Sequence, residues 1–138
     1  AVFRDRLFDG LSPEDFRSVL EPKVRGALAL HCASRAWPLD VFCCQGSIAS
    51  ELGNIGQVPY AAANSFLGGL TAWRRQSGLP GQTVHWTTLS GIGVMAGQGL
   101  LERQLRETRG FEPIGSAAVL KALEACLCLD RPSITIAP

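Results

Sequence analysis

Apolar and polar positions along the chain change between helical spacing and short apolar runs. The sequence predicts that a helix begins after Ser12. Ser12 can cap the helix, Pro13 suits its first position, and the acidic Glu14 and Asp15 stand in its first turn. Pro22 is expected to break or restart this helix, since proline removes a backbone donor. A second helical segment should then run from Lys23 to about Ala36.

Three short apolar runs predict β-strands. Leu39 to Cys44 is expected to be a strand buried on both faces, as in parallel sheets. Gln82 to Thr87 is expected to be a second buried strand, and Ser133 to Ala137 a last short one. Residues 45–58 are rich in glycine and are predicted to form a loop.

Helical segments alternate with these strands. Tyr60 to Gln76 has one apolar stripe and predicts a strong helix. A glycine-rich loop from Ser90 to Gly99, a helix from Leu100 to Arg109 and another from Ser116 to about Cys128 should follow. The last helix is expected to face the core through Val119, Leu120, Leu123 and Leu127. This order predicts an α/β fold, with a parallel sheet and helices on its faces.

Composition narrows the class of protein. The 138 residues fit one domain or part of one, and 46% apolar with 18% charged residues supports a real core. Net charge is +1, and no run of like charge exceeds Arg74-Arg75, so we expect no nucleic-acid partner and no membrane surface. The chain lacks an apolar span and a secretory leader, which favours a cytoplasmic protein. Its abrupt start is typical of the middle of a domain.

The cysteines and histidines do not indicate a metal site. Five cysteines are present, and their spacing fits no zinc motif: Cys32, Cys43, Cys44, Cys126 and Cys128. We interpret them as buried, reduced thiols. His31 and His85 lie among apolar residues and are expected at the core or its edge.

Three polar residues form a candidate site. Tyr60 and Asn64 are four residues apart on the predicted helix and so share a face. Ser47 lies thirteen residues before Tyr60, just past the end of a predicted strand, where open α/β sheets bind ligands. A Tyr and Ser pair suits ketone reduction, with one group donating a proton and the other holding the oxygen. A phenol needs a nearby cation to act near neutral pH, and Lys23 is the candidate.

Three segments of the sequence carry a family resemblance. EPKVRGALALH at 21–31, SIASELGNIGQVPYAAANSFLGGL at 47–70 and RRQSGLPGQTVHW at 74–86 resemble ketoreductase domains of polyketide and animal-type fatty acid synthases. These domains belong to the short-chain dehydrogenase/reductase superfamily. Most of that superfamily has Tyr-x-x-x-Lys, whereas Asn64 with an upstream lysine is typical of the synthase branch. The fold implied is the C-terminal part of a Rossmann-like, doubly wound parallel sheet with flanking helices.

The resemblance implies a reaction and roles for four residues. It implies NADPH-dependent reduction of a β-ketoacyl thioester on an acyl carrier protein to the β-hydroxyacyl thioester. Tyr60 would be the proton donor, and Ser47 would orient the carbonyl. Lys23 would make Tyr60 a better donor and contact the nicotinamide ribose together with it. Asn64 would help to hold this network or a water.

The chain also departs from the family pattern. It has no G-x-G-x-x-G motif after a strand, so residues 1–138 resemble the C-terminal portion of a ketoreductase domain. The missing N-terminal half and other synthase domains are the partners implied, and we expect the chain alone to bind NADPH weakly. Thr88 and Leu89 would lie against the nicotinamide, although the family often has glycine where Thr87 stands. Gly46 replaces the serine that commonly precedes Ser47.

Two alternatives to a synthase ketoreductase remain open. The chain is compatible with a non-catalytic structural subdomain that only braces a partner domain. It is also compatible with a reductase that acts on free small ketones. A G-x-G-x-x-G motif upstream of Ala1 would favour the enzyme over the structural subdomain.

Overall fold

A three-stranded parallel sheet lies at the centre of the structure. The structure is a computed structural model that describes residues 2–90 and 112–137. In chain order the elements are a short 3-10 helix Phe8–Gly10, α1 Pro13–Ser34, β1 Cys43–Ser47, α2 Ala49–Leu52, α3 Val58–Gln76, β2 Gln82–Trp86, β3 Leu89–Ser90, β4 Ile114–Gly115, α4 Ser116–Leu127 and β5 Ser133–Ile136. The strand order in the three-stranded sheet is β1-β2-β5, and β3 and β4 form a separate parallel pair. The predicted α/β fold is confirmed.

Helices cover both faces of this sheet. Alternate residues of β2 point to opposite sides, so Val84 and Trp86 pack in one core with Ile114, Val119 and Cys126. On the other side, Ala27 of α1 packs with Leu67 and Leu70 of α3. The arrangement is that of a doubly wound sheet.

The expected helix break at Pro22 is wrong, because α1 is one continuous helix. Its start is fixed by a capping box, in which Ser12 and Asp15 each accept the other's backbone N–H. Pro22 removes one intrahelical hydrogen bond on the exposed face of α1. Burial of Ala27 and His31 in the second half of α1 holds that half in line.

The first strand begins and ends later than its apolar run predicts. β1 covers Cys43–Ser47 instead of 39–44, and its first ladder contact is the Gln82 N–H donating to Phe42 O at 2.9 Å. The strand is only half-buried, with Gln45 exposed, so the expected burial on both faces is wrong. Within the described residues β1 pairs on one side only, with β2. Ser47 is therefore the last residue of the strand rather than a loop residue.

Two further expectations need correction. The predicted loop at 45–58 contains the end of β1, all of α2 and the first residue of α3. On α4, Val119 and Leu123 face the core as expected, but Leu120 is 69% exposed and Leu127 is 41% exposed. The helical period explains this, because residues 119, 123 and 126 share one face while 120 and 127 lie together beside it.

Cysteine burial is also less complete than expected. All five cysteines are free thiols, but Cys126 alone is fully buried, and Cys32 and Cys128 are exposed. Both histidines are buried, which confirms their place in the core. Most of the predicted loop 90–99 and the whole predicted helix 100–109 lie outside the described residues. No helix in the described part is long and apolar enough to cross a membrane.

Candidate active site

Ser47 lies at the carboxyl edge of the parallel sheet. It pairs with Trp86, so β1 and β2 end at the same level. Its Oγ accepts the backbone N–H of Ala49 at 3.3 Å, and its carbonyl accepts the Ser50 hydroxyl at 2.6 Å. Within the described residues Ser47 Oγ donates to no acceptor, so its own hydrogen is available to a ligand.

Lys23 reaches from the middle of α1 to the strand. Its Nζ donates to the backbone oxygen of Gln45 at 3.0 Å and lies 5.9 Å from the centroid of the Tyr60 ring. Burial lowers the pKa of Lys23 below its usual value, and the nearby Cys44 thiol opposes this shift. The strand thus fixes a half-buried cation beside the tyrosine.

Tyr60 lies in the first turn of α3, which starts at Val58 with Pro59 in a favourable first-turn position. The ring is half-buried and packs against Phe3, with centroids 4.8 Å apart and planes inclined by 37°. Among the described residues no group hydrogen-bonds to the Tyr60 hydroxyl. A ligand can therefore take up that hydrogen bond without displacing a protein partner.

Asn64 lies one turn further along α3 and is fully buried. Its Nδ2 donates to the Tyr60 carbonyl oxygen at 2.7 Å. Its Oδ1 is buried and lacks a hydrogen-bond partner in the described part of the chain. A buried acceptor without a donor costs free energy, so Oδ1 indicates where a water or a ligand donor belongs.

The structure brings three of the four predicted catalytic residues close together. Lys23, Tyr60 and Asn64 are linked by the distances given above. Ser47 lies at the same sheet edge, two residues beyond Gln45 on β1, and makes no hydrogen bond to those three in the described residues. A ligand oxygen between them would be needed to join Ser47 to the group.

The N-terminal segment forms one wall of this site, which the sequence alone did not indicate. Gln57 donates to the Asp5 carboxylate at 2.7 Å, and the Arg6 N–H donates to Gly56 O at 2.9 Å. These contacts hold Phe3 against Tyr60. Asp5 and Gln57 are 52 residues apart, so no spacing in the sequence reveals the pair.

Thr88 and Leu89 lie just beyond β2 on the edge that carries Ser47. The Thr88 carbonyl accepts the Ile114 N–H at 2.9 Å, and Leu89 pairs with Ile114 between β3 and β4. The Leu89 side chain packs against the core that contains Trp86. Contact of these two residues with a cofactor stays a prediction, and it would involve backbone atoms.

The chemistry of these groups fits the nicotinamide and ribose end of a dinucleotide. Lys23 Nζ has three hydrogens and gives one to Gln45, which leaves two for ribose hydroxyls. The Tyr60 hydroxyl and Asn64 Oδ1 add an available donor and an orphaned acceptor. No G-x-G-x-x-G occurs in the sequence, so a phosphate cradle of that type is not among these residues.

Comparison with known protein families identifies the chain's relatives. The model of the KR domain family matches residues 1–91, which include Lys23, Ser47, Tyr60 and Asn64. The chain belongs to the ketoreductase domain family. Among sequences, this ketoreductase chain is 38% identical over 133 residues to a hybrid PKS-NRPS synthetase of Aspergillus violaceofuscus and 39% identical over 133 residues to a polyketide synthase of Streptomyces halstedii.

The chain aligns with only a small part of each of these relatives. The two alignments cover 96% and 95% of this chain but 4% and 2% of the respective synthases. A solved ketoreductase domain from the bacillaene assembly line superposes with a TM-score of 0.87 at 31% identity, over 97% of this chain and 33% of that one. A ketoreductase from phoslactomycin biosynthesis in Streptomyces gives 0.86 at 33% identity, over 99% and 31%.

Proposed function

We propose that this chain carries the catalytic residues of a synthase ketoreductase that uses NADPH to reduce a β-ketoacyl thioester on an acyl carrier protein. The observation that carries the proposal is the position of Lys23. Its Nζ is bound to Gln45 O and lies beside Tyr60, at the sheet edge where β1 ends in Ser47. These are the groups that ketone reduction requires, within a fold shared with solved ketoreductases.

Tyr60 is the proton donor in this proposal. A nicotinamide cofactor, when bound, supplies the hydride to the carbonyl carbon. Negative charge then develops on the substrate oxygen, and the Tyr60 hydroxyl donates its proton there. The Lys23 ammonium stabilises the phenolate that remains, because it lies close to the ring in a partly desolvated position.

Ser47 and Asn64 prepare the site for this transfer. Ser47 Oγ already accepts a hydrogen bond from Ala49, so its own hydrogen can bind the carbonyl oxygen. Asn64 Nδ2 fixes the backbone of Tyr60, and its orphaned Oδ1 would accept a hydrogen bond from a water. Tyr60 regains its proton from solvent after the reduction. Each residue therefore orients one partner of the reaction before chemistry begins.

The carrier-bound substrate and the synthase context are proposed from the relatives. The curated relatives cited above are named as polyketide synthases or hybrid synthetases, and this chain spans 2–4% of their length. NADPH is proposed as the reductant because the residues resemble those of synthase ketoreductases. Other synthase domains and a nucleotide-binding half are the partners that this function requires.

Tyr60→Phe tests the proposed function in the intact reductase, which is this chain joined to the nucleotide-binding half of its ketoreductase domain. Removing the hydroxyl should lower kcat for an acetoacetyl thioester on acyl carrier protein by about 100- to 10,000-fold. The fold should be unchanged, because that hydroxyl has no hydrogen bond in the described residues. The exposed Ser65→Ala on the same helix is the matched control and should keep the wild-type kcat.

Two outcomes would contradict this proposal. Wild-type kcat in Tyr60→Phe would show that Tyr60 is not the proton donor. Faster turnover of a free ketone, such as trans-1-decalone, than of the carrier-bound thioester would favour a reductase of small ketones instead.

A further inference from the structure

His85 is buried beside the end of β1 and has no part in the reaction proposed above. It lies on β2, is 1% exposed and points towards β1 and α3. Its Nδ1 is 2.8 Å from Ser50 Oγ and 3.3 Å from the carbonyl oxygen of Ser47. Its Nε2 is 3.7 Å from a Glu51 carboxylate oxygen.

The donors and acceptors around Ser50 indicate that His85 carries a hydrogen on Nδ1. The Ser50 hydroxyl has one hydrogen, and its shortest contact is the bond to Ser47 O at 2.6 Å. If Ser50 donates there, its oxygen must accept from His85, so Nδ1 carries a hydrogen. His85 and Ser50 then both direct donors towards Ser47 O.

The imidazole ring is held in place by close neighbours. A Cβ on Gly46 would lie 2.6 Å from His85 Nδ1, closer than a Cβ comes to another atom, and would also crowd His85 Cε1 at 3.0 Å and Thr83 Cγ2 at 3.1 Å. On the other side, a Cβ on Gly68 would lie 3.7 Å from Nε2. Gly46 therefore leaves the space that His85 fills, directly before Ser47.

We propose that His85 is a positioning residue that acts through Ser50 on the Ser47 peptide and so sets the direction of the Ser47 hydroxyl. This role rests on the proposed function. His85 does not contact the substrate. It fixes the peptide that carries Ser47, and small displacements of a group that orients a substrate cause large losses in rate.

Two His85 variants and one matched control test this role in the intact reductase. His85→Ala should lower kcat about tenfold with the cofactor KM within about twofold, because the substrate carbonyl loses its orientation. His85→Asn keeps a donor near the Nδ1 position and should restore kcat to within about threefold of wild type. Val84→Ala, its neighbour on the opposite face of β2, should lower Tm but keep kcat.

Thermal unfolding tests the contact between Gly46 and His85 without measuring catalysis. Gly46→Ala alone should lower Tm, because its methyl group collides with the imidazole. In the His85→Ala background the same substitution should have a much smaller effect, so the two changes should not be additive. Hydrogen exchange at residues 46–52 should also be faster in His85→Ala than in Val84→Ala.

The possible failures can be told apart. Wild-type kcat in His85→Ala, or additive effects of the Gly46 and His85 changes, would overturn the positioning role and leave the proposed function intact. Failure of Asn to restore kcat, with Tm equal to that of His85→Ala, would also overturn it. An inactive wild-type reductase would overturn the proposed function and with it this role, although the Tm coupling would still be measurable.

Discussion

Lys23 shows how one residue joins a helix to the sheet. The residue is half-buried, and its ammonium is held by the Gln45 carbonyl, so burial lowers its pKa without leaving the charge unsatisfied. A cation in this position favours a negatively charged oxygen nearby more strongly than one in bulk water would. The same side chain therefore joins α1 to β1 and, in the proposed function, also stabilises the phenolate.

Lys23→Met tests the role of this charge. The change keeps the apolar stem but removes the ammonium, so we expect kcat to fall about 100-fold. Arg25→Met is the control, because Arg25 is exposed on the same helix and its one ion pair among residues 2–90 and 112–137 is with Glu21. Steady-state kinetics of the intact reductase measures both. Equal kcat values for the two variants would contradict the role of Lys23.

At the scale of elements, Arg74 joins α3 to two other parts of the chain. Its Nε donates to Pro80 O at 2.7 Å, and its Nη1 donates to His31 Nδ1 at 2.9 Å. The guanidinium also lies 3.8 Å from the centre of the Phe42 ring. Burial and the Arg74 charge lower the pKa of His31, so this histidine is held neutral as an acceptor.

Arg74→Met should therefore cost far more stability than the same change at Arg75. The first variant leaves the buried His31 Nδ1 and the part-buried Pro80 carbonyl without their donors, and we expect a loss of about 3 kcal/mol in the free energy of unfolding. Arg75 forms an exposed pair with Asp130, and its loss should cost less than about 1 kcal/mol. Urea unfolding measures both. A similar loss of unfolding free energy in the two variants would contradict the conclusion that Arg74 holds α3 against its neighbours.

For the whole molecule, the proposed function gives the described residues only the nicotinamide and ribose end of a dinucleotide. They offer a few hydrogen bonds from Lys23, Tyr60 and Asn64, and the sequence has no G-x-G-x-x-G phosphate-binding motif. A few hydrogen bonds of this kind contribute about 4 kcal/mol to the free energy of binding. This value corresponds to a dissociation constant for NADPH near 1 mM.

The isolated 138-residue chain should therefore bind NADPH no more tightly than reduced nicotinamide mononucleotide. The two share the nicotinamide and ribose, and only NADPH carries the adenosine part that this sequence has no motif to bind. Titration calorimetry with both ligands measures the difference. A micromolar dissociation constant for NADPH, with weak binding of the mononucleotide, would show that the chain has its own phosphate site.

Local signals in the sequence determined most of the helices and the candidate catalytic residues. The start of α1 follows from Ser12 and its acidic neighbours, and the shared face of Tyr60 and Asn64 follows from helical spacing. The quoted motifs also led to the family, which comparison with known families then confirmed. Capping and periodicity depend on residues close in sequence, so a single chain is enough to reveal them.

Only the tertiary structure decided how these parts meet. Pro22 stays inside α1, and β1 starts at Cys43, because packing and strand pairing outweigh local preference. The bond from Lys23 to Gln45, and the fit of His85 against Gly46, join residues far apart in the sequence. Such contacts depend on the distances that the folded sheet imposes, and no spacing or periodicity in the chain encodes them directly.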